Sequence, residues 1–182
     1  MTGPVLHRER AVIALGSNLG DREATLRSAV AELAATEGIR LLAASGLVET
    51  PAVTLEGVDR TAPAYLNAVV IAQTTLAPLT LLDALARIED AHGRVREQRW
   101  GDRTLDLDLI ALDDLELMTE RLTLPHPRAH ERAFVLVPWL QADPDATLPG
   151  HGAVRELLAA LNDGDVSHVE AEPLLAPGVG PR

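Results

Sequence analysis

Cysteine and lysine are both missing from the 182-residue sequence. Without cysteine the chain can form no disulfide, no cysteine-ligated zinc site and no thiol nucleophile. Without lysine it can have neither the lysine of a phosphate-binding P-loop nor a Schiff-base lysine. These two absences exclude several large enzyme classes before any motif is considered.

Long apolar runs are also missing, because no segment approaches the roughly 20 residues needed to cross a bilayer. The N-terminal sequence MTGPVLHRER lacks the apolar centre of a signal peptide. The composition, 47% hydrophobic and 24% charged, is typical of a globular protein. We therefore expect one cytoplasmic domain with no membrane partner.

The net charge is −11, and all 16 basic residues are arginines. Non-specific binding to nucleic acid needs many cations to displace counterions, so we expect no nucleic-acid partner. Several arginines nevertheless crowd one short stretch of this acidic chain, namely Arg87, Arg94, Arg96, Arg99 and Arg103. The cluster indicates a place where an anion docks.

Hydrophobic patterning predicts an alternation of strands and helices. Residues 11–15 form a buried strand, and the following helix, capped by Asn18 or Asp21, has the stripe Leu26, Val30 and Leu33. Further elements are an extended segment at 39–48, a long loop at 50–64, a strand from Tyr65, helices at 78–92, 134–141 and 153–162, and a strand at 105–112. Two strand–helix–strand halves predict an α+β, ferredoxin-like sandwich whose sheet contains antiparallel strands. We expect one domain over residues 1–162 and a flexible tail over 163–182.

The segment RWGDRTLDLDLIAL, residues 99–112, sets two aspartates two positions apart in an apolar run. Because strand side chains alternate between faces, Asp106 and Asp108 share one face and the intervening leucines share the other. Two carboxylates about 5 Å apart repel by roughly 3 kcal/mol at an effective dielectric of about 20. A divalent cation would remove this repulsion, and hard oxygen ligands favour Mg²⁺.

The aspartate pair has two other interpretations. The strand face could be solvated, with both carboxylates in water or paired to arginines; the upstream arginines favour a metal and phosphate site, since guanidinium groups suit phosphate oxygens. Polymerase-β-like nucleotidyltransferases also combine a Gly-Ser turn with an Asp-x-Asp strand. In that family the two motifs lie close together, whereas Gly16 and Asp106 occupy opposite halves of this chain.

Four segments carry a resemblance to a known family: GSNLGDR, YLNAVV, RIEDAHGRVREQRWGDRTLDLDLI and LPHPRAHERAFVLVPW. Together they resemble 6-hydroxymethyl-7,8-dihydropterin pyrophosphokinase, in the family's order between Ala11 and about Leu161, and the R-W-G-x-R-T-L-D-L-D motif is highly specific to it. The resemblance implies a monomeric enzyme of folate biosynthesis that uses two Mg²⁺ ions. It would transfer the terminal diphosphate of ATP to the pterin hydroxymethyl group and release AMP.

The same resemblance implies roles for individual residues. Asp106 and Asp108 match the metal ligands, and Arg94 and Arg103 match catalytic arginines that contact the triphosphate. The implied ATP contacts are Glu89, Arg94, Arg99, Arg103, His126 and Arg132. The implied pterin contacts are Tyr65 and Phe134 as the two walls of the ring, Asn67 at its edge, and Thr50, Val53 and Trp100.

Some assignments have competing interpretations. Phe134 could serve core packing, and His126 could be a turn residue. Many relatives have glutamine at the position of Ala86, a basic residue at Glu97 and proline at Asp102, so details of the nucleotide side and of the loop stay open. A non-catalytic ferredoxin-like domain that binds a small ligand or a metal is the alternative function.

Overall fold

The computed structural model describes residues 7–54, 57–93 and 104–175. Its strands are β1 (Glu9–Ser17), β2 (Ile39–Ala44), β3 (Leu47–Thr50), β4 (Ala52–Thr54), β5 (Gly57–Asp59), β6 (Tyr65–Thr74), β7 (Asp106–Leu112), β8 (Leu117–Met118), β9 (Thr123–Leu124), β10 (Thr147–Leu148), β11 (Gly152–Ala153) and β12 (Ser167–Val169). Its helices are α1 (Arg22–Ala35), α2 (Pro78–Ala91), α3 (Ala133–Ala142) and α4 (Val154–Ala159), with a 3₁₀ turn at Ala129–Glu131.

One six-stranded antiparallel sheet organises these elements. Its strand order is β12-β3-β6-β1-β7, and β2 also pairs with β6. The unit β1-α1-β2 has β6 inserted between its strands, and the unit β6-α2-β7 has β1 inserted. Two interlocked split β-α-β units of this kind form a ferredoxin-like sandwich, so the predicted fold class is confirmed.

Helices cover both faces of the sheet. On one face α1 and α2 bury a large cluster that includes Ile13, Leu15, Leu26, Leu33, Val70, Leu81 and Leu85. On the other face α3 and α4 bury a smaller cluster that includes Val12, Val69, Ile71, Ile110, Leu136 and Trp139. The second cluster covers only part of this sheet face. The rest of the face carries polar side chains, and the candidate site lies there.

The two large helices follow their sequence signals. Asp21 caps α1, since its Oδ1 accepts the N–H of Ala24 at 3.0 Å. Proline opens α2 in its first turn, where a missing N–H is tolerated. The predicted apolar stripe of α1 is buried in the larger cluster, and α2 buries Leu81, Leu85 and Ile88 in the same cluster.

The region between α1 and β6 differs from its prediction. The extended segment at 39–48 is two strands, because Ser45 interrupts the ladder: its N–H donates to the oxygen of Val69 at 2.8 Å and its Oγ accepts the N–H of Val69 at 2.9 Å. The segment 50–64, expected as a loop, contains the hairpin β4–β5 with Val53 opposite Val58. Local pattern did not show either feature, since both depend on pairing between strands.

The C-terminal segment adds a strand that the expectation of a flexible tail missed. β12 pairs with β3, with His168 opposite Val48. Arg27 of α1 donates to the carbonyl oxygens of Glu172 at 2.6 Å and Pro173 at 3.1 Å, and Leu174 and Leu175 pack against the larger cluster. Ser167 and His168 are exposed, so no hydrophobic pattern marks this strand.

In the described part of the chain, no helix is long and apolar enough to cross a membrane.

The turn between α1 and β2 gives a stability test. Gly38 has φ +86°, and a Cβ there would lie 2.7 Å from Leu76 Cδ2 and 3.2 Å from Thr75 Oγ1. Gly20 has φ +65° with no atom within 4 Å of a built Cβ. In both variants alanine must adopt a positive φ, but only in Gly38→Ala does the new methyl group also clash. We therefore expect Gly38→Ala to lower the free energy of unfolding by about 1–2 kcal/mol more than Gly20→Ala does. Urea unfolding of the two variants measures the difference, and equal losses would contradict the close contact.

Candidate active site

Three neighbouring strands bring the polar residues into rows across the sheet. Asn67 of β6, Gly16 of β1 and Asp106 of β7 are paired in one row, and Val69 and Asp108 belong to the next. Directly opposed residues of antiparallel strands project to the same face. The amide and both carboxylates therefore lie on the face that α3 covers, just beyond the apolar cluster beneath that helix.

The alternation predicted for β7 is confirmed. Asp106 and Asp108 are partly exposed, whereas Leu105, Leu107 and Leu109 are buried in the larger cluster. Apolar packing on one face thus fixes the strand so that both carboxylates project from the other. The leucines hold this segment in the larger cluster.

Arg132 connects the aspartates to the aromatic part of the site. Its Nη1 lies 3.6 Å from Asp108 Oδ2, and its Cζ lies 5.7 Å from the centre of the Phe134 ring. Arg132 is the N-cap residue of α3, so the start of that helix fixes its position. Burial lowers the pKa of Arg132 and the charge of Asp108 opposes this shift, but a guanidinium remains a cation. The edge of the sheet thus holds a cation between a carboxylate and an aromatic ring.

His126 lies in the turn before α3 and is anchored through both backbone and ring. Its N–H donates to the oxygen of Ile110 at 2.8 Å, and its Nδ1 accepts the N–H of Arg128 at 3.2 Å. Because Nδ1 accepts, the neutral ring carries its proton on Nε2. Burial, with a smaller effect of the Arg132 charge, lowers the pKa of His126 to about 4. At neutral pH the ring can donate one hydrogen bond from Nε2 without adding charge.

A second group of predicted residues meets around Asn67. The Asn67 side chain is buried, and its Nδ2 donates to Thr50 Oγ1 at 3.0 Å. Tyr65 lies opposite Thr50 in the β3–β6 pair. A Cβ on Gly16 would lie 3.0 Å from Asn67 Oδ1 and 3.8 Å from Tyr65 Cδ1, so Gly16 makes room for both side chains. The structure therefore gathers Thr50, Tyr65 and Asn67 beside one glycine of β1.

Gly16 and Arg128 were not assigned roles by the sequence analysis. A glycine inside a strand marks a close approach by another group, and that signal was available for Gly16. Arg128 carries a charge that acts on both His126 and Arg132, and its Nε lies 3.3 Å from Glu131 Oε2. Its neighbourhood depends on how the chain turns before α3, which local pattern does not show.

Two predicted residues occupy other positions. Val53 belongs to the hairpin β4–β5 and is 55% exposed. Glu89 comes from α2, in the helix layer on the opposite face, and its Oε1 accepts the backbone N–H of Leu107 at 2.7 Å. Four further predicted residues, Arg94, Arg99, Trp100 and Arg103, lie outside the described residues.

Comparison with known proteins decides the family. The family described as 7,8-dihydro-6-hydroxymethylpterin-pyrophosphokinase matches residues 12–144 of this chain. The chain belongs to this family. The matched region includes every described site residue from Gly16 to Phe134, so the site lies within the part of the chain that defines membership.

Individual members of the family are similar over most of their length. A 2-amino-4-hydroxy-6-hydroxymethyldihydropteridine pyrophosphokinase from Methylorubrum extorquens is 45% identical over 161 residues, covering 88% of this chain and 99% of the relative. An enzyme of the same name from Mycobacterium tuberculosis H37Rv is 45% identical over 169 residues, covering 86% of each.

Solved structures agree on the fold. The crystal structure of Plasmodium falciparum HPPK-DHPS A437G with pteroate has a TM-score of 0.62 at 14% identity. It covers 86% of this chain, which spans 44% of that longer chain. At this identity the likeness supports the ferredoxin-like arrangement of this family member and nothing finer.

The ring of His126 gives a pH test. In the folded protein we expect its NMR titration to have a midpoint of about 4, because burial disfavours the imidazolium. In urea the same ring should titrate near the ordinary value of about 6.5. The folded pKa is depressed, so the stability that neutral His126 contributes is fully present above pH ~6.5 and is lost as the pH falls toward 4. A folded midpoint close to the urea value would contradict the buried position.

Proposed function

We propose that Asp106 and Asp108 bind the metal-complexed triphosphate in a pyrophosphokinase reaction. The family identifies the chain as an ATP-dependent pyrophosphokinase of folate biosynthesis, which transfers diphosphate to the hydroxymethyl group of 6-hydroxymethyl-7,8-dihydropterin. The observation that carries the residue assignment is the shared face of both carboxylates and Asn67. A non-catalytic binding domain is not favoured, because the family model and the named relatives are enzymes.

The donor set of β7 fits magnesium. Both aspartates offer hard oxygen ligands from one face of β7. Such a site leaves coordination positions for water and phosphate oxygens, as Mg²⁺ prefers at nucleotide sites. We propose two Mg²⁺ ions held by Asp106 and Asp108. When bound, they would neutralise phosphate charge and orient the triphosphate.

Cationic and neutral side chains of the chain itself would have different roles at the phosphate groups. The pterin hydroxyl oxygen forms a bond to the β-phosphorus of ATP while the bond from that phosphorus to the oxygen shared with the α-phosphate breaks. This step releases AMP, and the hydroxyl proton passes to solvent. Arg132, on the aspartate side of the site, supplies a fixed cation for phosphate oxygens. Neutral His126 supplies its Nε2–H as a donor, and Arg94 and Arg103 would add further positive charge. No covalent enzyme intermediate is needed.

The pterin would lie at the other end of the same polar surface. Thr50 holds the Asn67 amide in one orientation, so that the amide can read the hydrogen-bonding edge of a flat ring. Tyr65 and Phe134 would be the two aromatic walls, with Phe134 also packed against the smaller core cluster. Backbone groups near Val53, and Trp100, would complete the pocket. A monomeric enzyme in the cytoplasm completes the proposal.

Substitution of the aspartates tests the metal assignment. We expect Asp106→Asn or Asp108→Asn to slow AMP formation by more than about 100-fold, because each removes a charged ligand of the metal. The thermal stability of Asp106→Asn should stay the same or rise, since the repulsion between the carboxylates is removed. The matched control is Asp114→Asn, an exposed aspartate in the turn after β7. The assay mixes protein, ATP, Mg²⁺ and the pterin and measures the nucleotide product. Retained turnover in the site variants would overturn the assignment. Formation of ADP instead of AMP would indicate an ordinary kinase.

Substitution of Gly16 tests the pterin assignment. In Gly16→Ala the new methyl group would meet Asn67 Oδ1 at 3.0 Å and turn the amide away from Thr50. The loss of one oriented hydrogen bond should raise the KM for the pterin about 10-fold while the KM for ATP changes little. Gly46→Ala is the control, because its Cβ would make only an ordinary 3.4 Å contact with Gln141. Steady-state kinetics with each substrate varied in turn measures both values, and equal increases for the two substrates would refute the assignment.

A further inference from the structure

Glu89 is a buried carboxylate that contacts the backbone of β7. The residue is 3% exposed in α2, and its Oε1 accepts the N–H of Leu107 at 2.7 Å. Leu107 is the residue between Asp106 and Asp108. In the described chain β7 is the last strand of the sheet, so this hydrogen bond occupies a main-chain donor at its outer edge.

The free-energy cost of burying the Glu89 carboxylate indicates that this side chain has a specific structural role. A carboxylate is expensive to bury unless hydrogen bonds or charges compensate it. The neighbouring inward positions of α2 are filled by Leu81, Leu85 and Ile88, which pack without that cost. An apolar side chain at position 89 could extend this stripe but could not accept the N–H of Leu107. The glutamate therefore serves the strand rather than the core.

Peptide geometry transmits this contact to the aspartates. The N–H of Leu107 lies in the same rigid plane as the carbonyl of Asp106, so a hydrogen bond to one fixes the orientation of the other. On the opposite side β7 is held by β1, where Asp106 pairs with Gly16 and Asp108 with Ala14. The strand is thus held from two sides at the residues that carry the carboxylates.

We infer that Glu89 is a positioning residue for the metal-binding aspartates, acting through its hydrogen bond to Leu107. This inference rests on the proposed function, in which Asp106 and Asp108 bind Mg²⁺. The hydrogen bond sets the backbone of β7 so that both carboxylates keep the spacing that the metal requires. This role differs from the direct contact with ATP that the family resemblance implies for the same residue.

Three substitutions at one position separate the hydrogen bond from the charge. Glu89→Gln keeps an oxygen at the same reach but removes the charge. Glu89→Asp keeps the charge but is one methylene shorter, and Glu89→Ala removes both. Positioning predicts that the glutamine variant resembles the wild type and the aspartate variant resembles alanine. An effect of charge predicts the opposite order.

Metal binding without turnover provides the main readout. Mn²⁺, used as a probe for Mg²⁺, is titrated by electron paramagnetic resonance in the presence of a non-hydrolysable ATP analogue. We expect Glu89→Asp and Glu89→Ala to weaken Mn²⁺ binding about 10–100-fold, as loss of a supporting hydrogen bond does in metal sites, and Glu89→Gln to stay close to wild type. Hydrogen exchange of the Leu107 amide should accelerate only in the aspartate and alanine variants. Leu85→Ala, a buried residue one turn earlier in α2, should lower stability without changing Mn²⁺ affinity.

The outcomes distinguish this inference from the proposed function. Wild-type Mn²⁺ affinity in Glu89→Asp, or weak affinity in Glu89→Gln, would overturn positioning by the hydrogen bond. Asp108→Asn is measured alongside: if it kept full Mn²⁺ affinity and turnover, the metal site itself would be misplaced. If the alanine variant fails to fold, the aspartate and glutamine variants still decide between the two orders.

Discussion

Asp106 and Asp108 place like charges on neighbouring same-face positions of β7, and the surrounding structure compensates that repulsion. Their strand is held by buried leucines on the opposite face, by pairing with β1 on one side and by Glu89 on the other. Arg132 brings a cation to Asp108 from the start of α3. The apolar face keeps the strand in place, which fits the proposed binding of a cation and phosphate by the two carboxylates.

The two faces of the sheet differ in the polarity of their side chains. The face under α1 and α2 carries the larger apolar cluster, whereas the face under α3 changes from Val69 and Ile110 to Asn67 and the aspartates. The helix α3 begins at this change, and its first residues include Arg132 and Phe134. One helix start therefore carries both Arg132 and Phe134, the residues proposed for the phosphate and pterin sides of the site.

Features that repeat along the chain were predictable from the sequence. The alternation of Asp106 and Leu107 follows from strand periodicity and the stripe of α1 from helix periodicity, and Asp21 was one of the two residues predicted to cap α1. The hairpin β4–β5, the strand β12 and the contact of Glu89 with Leu107 depend on which distant segments meet. The family resemblance assigned the residues around Asn67, but only coordinates show that Gly16 makes room for its side chain.

The strand β12 has a consequence for behaviour at high concentration. An uncovered strand edge presents unpaired main-chain groups that can recruit an extended segment of another molecule. β12 occupies the outer side of β3, and at the far margin of the sheet Glu89 and His126 occupy main-chain groups of β7. Intermolecular strand addition, the first step toward fibrils, is therefore obstructed along β3 and at these main-chain groups of β7.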